Sequence, residues 1–142
     1  MDQALALAEE AAANDEAPVG AVIICDGAVI AAERNRMQAL NDPTAHAEML
    51  AIRVALAARG SGRLDGCDLY VTLEPCAMCA GAIAHARLRR VYYAAEDQKA
   101  GAVDHGVRLF ESPNCHHRPE VIAGIGETRA SALLRDFFAK LR

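Results

Sequence analysis

A chain that must bring one histidine and a Cys-x-x-Cys pair to a common point has few folds open to it, and this sequence carries that demand. His46-Ala47-Glu48 comes first, and Pro75-Cys76-Ala77-Met78-Cys79 follows well downstream. His46, Cys76 and Cys79 are three ligands of the kind zinc prefers, one short of a closed tetrahedron. Three protein ligands leave a coordination position for water, and Glu48 offers a carboxylate to move that water's protons. The set has the composition of a catalytic zinc site rather than a structural one. Two other readings stay open beside it. A thioredoxin-like redox pair would explain Cys76 and Cys79 but leave His46 and Glu48 without a role. A structural zinc would need a fourth ligand, and His85, the nearest offer, lies about 240° round the helix from Cys79 and points away.

The surrounding pattern places both segments at helix starts. Residues 3–13 (QALALAEEAAA) read as a helix with Leu5 and Ala8 on one face, broken between Asn14 and Gly20 by Pro18. Ala21–Cys25 and Val29–Ala32 are strand-like runs joined by Asp26-Gly27, a hairpin turn signal. Arg34 to Asp42 reads as polar loop. Pro43 suits a first helical position with Asp42 as cap, and the pattern from Ala45 to Arg59 is helical, stopping at Gly60. Leu69–Thr72 is an apolar strand ended by Glu74-Pro75. A helix over Cys76–Ala86 and a strand over Arg90–Ala94 follow. The remainder predicts a short helical stretch near Val103–Leu109, a turn-rich loop from Ser112 to Arg118, a strand over Glu120–Ala123 and a final helix over Glu127–Leu141. In that helix Ala130, Leu133, Leu134, Phe137 and Leu141 form a core stripe. A hairpin followed by strand–helix alternation predicts a three-layer α/β/α fold around a central mixed five-stranded sheet.

The spacing has a chemical logic. Cys76 and Cys79 share one face of their helix at its start, where unpaired N–H groups and the positive dipole end stabilise thiolates. His46 falls in the first turn of its own helix, so two helix N-termini would converge on one metal. Two thiolates and a neutral imidazole nearly cancel the zinc charge. The bound water is then less acidified than in an all-histidine site and needs a base, for which Glu48 is the candidate.

Bulk composition narrows the class further. A chain of 142 residues is expected to be one domain over residues 1–142, burying roughly 68–70% of its unfolded surface without disulfides. With 4% aromatic residues and no Trp, its core must rest on Ala, Val, Leu and Ile. No stretch approaches the ~18 apolar residues of a membrane span. Met1 to Glu16 holds five acidic residues and no Lys or Arg, which argues against a secretory or transit peptide and for a reducing cytoplasm. Five cysteines, an odd number, then argue against a disulfide framework, leaving Cys25, Cys67 and Cys115 as small buried hydrophobes. A net charge of −4 speaks against a chain that coats itself on nucleic acid, though not against a local basic face. Arg87, Arg89 and Arg90 cluster, but beside a strand, where they also suit a solvated face.

His-x-Glu with Pro-Cys-x-x-Cys is the known signature of zinc-dependent nucleobase deaminases. More specific stretches are DPTAHAE at residues 42–48 and LYVTLEPCAMCAG at residues 69–81. Glu16-Ala-Pro-Val-Gly20, Asn35-Arg36, Asp97-Gln-Lys-Ala-Gly101, His117-Arg118 and Asp136-Phe-Phe138 add to them. Across nearly its whole length the chain resembles the bacterial tRNA-specific adenosine deaminases of the cytidine-deaminase-like superfamily.

That resemblance implies a cytidine-deaminase-like fold that hydrolyses adenosine to inosine at the wobble position of a tRNA anticodon, typically an arginine tRNA. It implies one Zn²⁺ per subunit, held by His46, Cys76 and Cys79. Glu48 would take a proton from the attacking water and pass protons to the ring nitrogen and the departing ammonia. Asn35 corresponds to the family's base-contacting asparagine, and Val19 and Leu73 to pocket walls. Asp97 would face the sugar and backbone, where a carboxylate accepting from a ribose 2′-OH favours RNA over DNA; its plain alternative is a turn aspartate. Lys99, His116, His117 and Arg118 lie on segments that resemble the anticodon-contacting loops, and Phe138 is either the edge of the core or a base-stacking ring. The implied partners are a tRNA anticodon stem-loop and a second copy of the chain, with no membrane. The sequence departs from the family pattern at His116, where Asn is expected. It also lacks an aromatic-bearing lead and an extended basic tail, which is expected to weaken RNA affinity. Two further functions remain to be separated from this one. A free-base or nucleoside deaminase (guanine, cytosine or cytidine) would share the zinc site without needing Asp97, the His117-Arg118 loop or the Asp-Phe-Phe tail. A non-catalytic zinc-stabilised RNA-binding module would have no use for Glu48.

Overall fold

In the computed structural model, which describes residues 1–141, Asp26-Gly27 turns the chain back on itself with φ of 52° and 78°. Two successive positive φ angles are what a type I′ hairpin turn requires, and Gly accepts them without steric cost. The turn joins β1 (Gly20–Cys25) to β2 (Ala28–Arg34). On its other edge β1 pairs antiparallel with β3 (Cys67–Leu73), which pairs parallel with β4 (Arg90–Ala95), itself parallel to β5 (Glu120–Ala123). The five strands run in the order β2-β1-β3-β4-β5.

Five helices accompany the sheet: α1 (Asp2–Ala13), α2 (Met37–Leu40), α3 (Ala47–Arg59), α4 (Ala77–Ala86) and α5 (Glu127–Lys140), of which the single turn α2 buries no residue. Strand side chains alternate between faces, so Ala21, Ile23, Leu69 and Val71 point to one side, where they pack against Ala51, Ile52 and Ala55 of α3 and Ile83 of α4. On the opposite side Leu5 of α1 and Ala130 of α5 close over Ala94. This is the expected three-layer arrangement with a mixed sheet. The parallel connection β3–α4–β4 matters most for function: it starts α4 just past the carboxyl end of β3, the end of an open α/β sheet where ligands bind.

The structure corrects several local expectations. Helix α3 begins at Ala47 and α4 at Ala77, making His46 and Cys76 the N-caps rather than first-turn residues. Asp42 does not cap α3; its Oδ1 accepts from Thr44 N at 2.8 Å and Thr44 Oγ1 at 2.7 Å, closing a tight turn instead. The polar segment 34–42 contains the single helical turn α2, because buried Glu16 accepts the N–H groups of Gln38 (3.0 Å) and Ala39 (2.8 Å). No helix forms over 103–109: the amides of Val103, Asp104 and His105 all turn to the Glu74 carboxylate, and only a 3₁₀ turn follows at Leu109–Glu111. Leu141 is 69% exposed, because α5 seats through Ala130, Leu133 and Leu134 and its stripe continues beyond the surface it covers.

The cysteine expectation also changes. Cys25 and Cys67 are directly opposed in the β1–β3 register and form a disulfide. An odd total does not prevent one pair when the register brings two sulfurs to the same face. Cys115 is partly buried against the core, as a small hydrophobe would be.

Candidate metal centre and substrate groove

His46 ends an extended segment (φ −69°, ψ 151°) at the start of α3, and Cys76 does the same (φ −74°, ψ 175°) at the start of α4. Cys79, one turn into α4, is buried. His46 Nδ1 lies 3.6 Å from Cys76 Sγ and 3.6 Å from Cys79 Sγ, and all three ligand atoms fall within 4.8 Å of one another. Zinc bonds of about 2.3 Å to sulfur and about 2.0–2.1 Å to nitrogen give tetrahedral edges of about 3.5–3.8 Å. The donor set and its spacing therefore fit Zn²⁺, and no other His/Cys/Asp/Glu group of this kind occurs among the described residues.

The electrostatics agree. A hydrogen bond with Cys79 draws the Cys76 thiol down to about 4 against the opposing effect of burial, with His46 adding to the pull. The same sharing, with burial and Glu48 beside it, pushes Cys79 up. The Cys76 contact raises His46 against burial. Glu48 lies on the buried stripe of α3 with Ala51, Ile52 and Ala55, so the helix aims a carboxylate inward beside the ligands. Burial raises its pKa, with its own backbone amide, Cys79 and His46 pulling the other way. The helix thus sets a single buried carboxyl beside the ligands, where it can take up and hand on protons.

A groove of about 1210 Å³ gathers five of the residues expected at the substrate: Val19, Leu73, Asp97, Lys99 and Phe138, with Arg135 beside them. Leu73 ends β3, three residues before Cys76, and Val19 accepts the N–H of buried Asn35 at 3.0 Å. The groove floor thus connects to both segments that lead to the metal, although the ligands themselves do not line it. Phe138 is 46% exposed, which takes it out of the core. Asp97 uses Oδ1 as a turn acceptor for Lys99 N (3.1 Å) and Ala100 N (3.0 Å), while Oδ2 has no hydrogen bond among the described residues.

His116 and His117 lie elsewhere, in a smaller hollow of about 270 Å³ with His85 and Arg87. His117 Nε2 bonds the Leu88 carbonyl at 2.6 Å, and exposed Arg118 reaches only Ser112 O at 3.5 Å. Of the arginine cluster, Arg89 pairs with Asp68 at 2.8 Å and Arg90 with Glu120 at 2.7 Å, so those two are a neutralised strand face.

Sequence reasoning missed two carboxylates that build the site. Glu16 holds the α2 turn next to Asn35. Glu74, buried at 2% exposure directly before Pro75-Cys76, accepts five hydrogen bonds from residues 97–105. Burial would raise its pKa, but the N–H groups of Asp97, Val103 and His105 and the His105 ring hold it below the usual range. A charged residue at the end of an apolar strand beside a ligand was the available signal.

Comparison with known proteins gives a consistent picture. The family model for the cytidine and deoxycytidylate deaminase zinc-binding region matches residues 1–95. A curated tRNA-specific adenosine deaminase of Agrobacterium fabrum is 54% identical over 142 residues, covering 100% of this chain and 93% of the relative. A solved structure from studies of A-to-I editing by tRNA:A34 deaminases at the wobble position matches with a TM-score of 0.93 and 54% identity, over 94% of this chain and 97% of that one. A guanine deaminase from Nitrosomonas europaea matches with a TM-score of 0.78 and 29% identity, over 97% and 82% respectively.

Proposed function

Because this chain belongs to the zinc-dependent tRNA-specific adenosine deaminase family, we propose that it hydrolyses adenosine to inosine at the wobble position of a tRNA anticodon, with an arginine tRNA as substrate. The observation that carries this reading is the groove. At about 1210 Å³ it exceeds the roughly 300–1,000 Å³ of small-molecule pockets, and it is walled by an exposed aromatic, a lysine and an aspartate. A strand with stacked bases and a sugar–phosphate backbone fills such a trough better than a free base does.

His46, Cys76 and Cys79 would hold zinc, which would supply Lewis acidity toward a water nucleophile. The rest is done by the chain's own groups. Glu48 accepts a proton as water adds to carbon 6 of adenine and returns it to the adjacent ring nitrogen. It then carries the second proton to the amine that leaves as ammonia. Asn35, fixed through its backbone to Val19, contacts the base edge, with Val19 and Leu73 against the ring faces. Asp97 Oδ2 accepts from a ribose hydroxyl, Lys99 meets phosphate, and Phe138 stacks on a flanking base.

The His116–Arg118 segment lies apart from the groove within one chain. The proposal therefore includes a homodimer of single-domain chains (residues 1–142) working in the cytoplasm, in which an RNA spanning two copies would use both patches. Among the described residues no helix is long and apolar enough to cross a membrane. The test is a substrate panel: an arginine-tRNA anticodon stem-loop, free adenosine, cytidine and guanine. Turnover of the stem-loop alone supports the proposal; turnover of guanine without the stem-loop replaces it with a free-base deaminase on the same metal chemistry.

A further inference from the structure

The Glu74 carboxylate collects an unusual number of donors. Its Oε1 accepts from Asp97 N at 3.1 Å and from His105 Nδ1 at 2.8 Å; its Oε2 accepts from Val103 N (3.2 Å), Asp104 N (3.0 Å) and His105 N (3.1 Å). The side chain is fully buried. The backbone on either side is tied to the same segment. Ala102 N donates to Pro75 O at 2.9 Å, and Cys76 and Gly101 form an isolated antiparallel bridge. Gly101 fits this approach because it has no side chain: a Cβ there would stand 2.5 Å from Glu74 Oε2.

Residues 97–105 thus have little regular structure of their own. The Asp97 turn and the Tyr93–Asp104 hydrogen bond shape parts of the segment, and the Glu74 carboxylate is the group that gathers both of its ends. The segment carries Asp97 and Lys99 into the groove, while Glu74 is joined through Pro75 to the ligand Cys76. We infer that Glu74 is a positioning residue that fixes the substrate-binding loop 97–105 in register with the metal-binding start of α4. The inference rests on the tRNA reading for what the loop contacts, but the geometry it describes does not. The Glu74 side chain is enclosed by the loop's own donors and does not open onto the groove surface. It sets where the groups that do so stand.

Glu74→Gln keeps the volume but replaces one acceptor oxygen with an amide that donates, facing backbone N–H groups that need an acceptor. Two readouts follow. In the zinc-loaded protein, amide hydrogen exchange over 97–105 should accelerate about tenfold or more while α4 exchanges as in the wild type. With the anticodon stem-loop, KM should rise about tenfold while kcat stays within about threefold and zinc remains at one per chain. Unchanged exchange and KM, or a fall in kcat at constant KM, overturns the inference. If Glu74→Gln does not fold, His105 decides. His105→Ala removes one donor and should raise loop exchange and KM by about threefold, and His105→Asn, which can place an amide N–H near Nδ1, should restore both. Identical behaviour of His105, Ala and Asn overturns it. A wild type that exchanges as described but makes no inosine in the stem-loop refutes the functional reading and leaves the exchange result to judge Glu74.

Discussion

His46 Nδ1 stands 3.6 Å from Cys76 Sγ although the two residues cap different helices on the same face of the sheet. Each is held at a helix start by the packing of α3 and α4 on β1 and β3, so the ligand set is built by the fold rather than by any one loop. His46→Ala and Cys79→Ser should each cut zinc affinity by more than about 100-fold, exceeding the 10–100-fold typical of outer-shell changes. Metal analysis after dialysis against a weak chelator should find one zinc per wild-type chain and far less in either variant.

The His105–Glu74 pair should show in the pH dependence of stability. The Glu74 hydrogen bond, with Glu96 and Asp104 nearby, raises the His105 pKa above 6.5 in the folded chain. A raised folded value means that folding favours the protonated ring. Its stabilisation is complete below 6.5 and is lost as pH climbs through the higher folded value. The difference in Tm between wild type and His105→Asn should therefore shrink as pH rises from about 6 to about 9. A difference that grows over that range contradicts the assignment.

Phe138 is exposed on a helix whose neighbouring apolar residues Leu133 and Leu134 are partly buried. Stacking on one base is worth about 1–3 kcal/mol, so Phe138→Ala should raise KM for the stem-loop by about 5- to 150-fold with kcat unchanged. The melting temperature should barely move. A large stability loss with unchanged KM would return Phe138 to a packing role.

Asp97 tests discrimination between RNA and DNA. Its Oδ1 serves the turn, which Asn can also do, whereas the charge on Oδ2 is what a ribose hydroxyl would meet. Asp97→Asn should lower the ratio of kcat/KM for RNA over a matched DNA hairpin by about tenfold. An unchanged ratio assigns Asp97 to the turn alone.

How legible this was from sequence depended on how local each determinant is. The Asp26-Gly27 hairpin and the stop at Gly60 are short-range features, and the structure places them where the residues point. The ligand trio joins two distant segments, but each segment announces itself by its residue types, and the structure brings them together. Helix starts slipped because Ala45 and Cys76 continue an apolar pattern that the backbone interrupts by capping. Glu16 and Glu74 were hard to read as organisers: a charge closing an apolar strand marks Glu74, but the partners of both are mostly backbone amides more than twenty positions away, which carry no sequence signal. The Cys25–Cys67 pair needed the β1–β3 register, which no turn fixes in advance. The groove needed α5 to be laid across the sheet before Phe138 and Asp97 could share a wall.

The most direct measurement is inosine formation in a synthetic arginine-tRNA anticodon stem-loop by the zinc-loaded wild type and by Glu48→Ala. The account predicts that the wild type converts the wobble adenosine and that Glu48→Ala, with its zinc intact, falls by at least about 10²–10⁴-fold. No inosine from the wild type, or equal rates from both proteins, would contradict it.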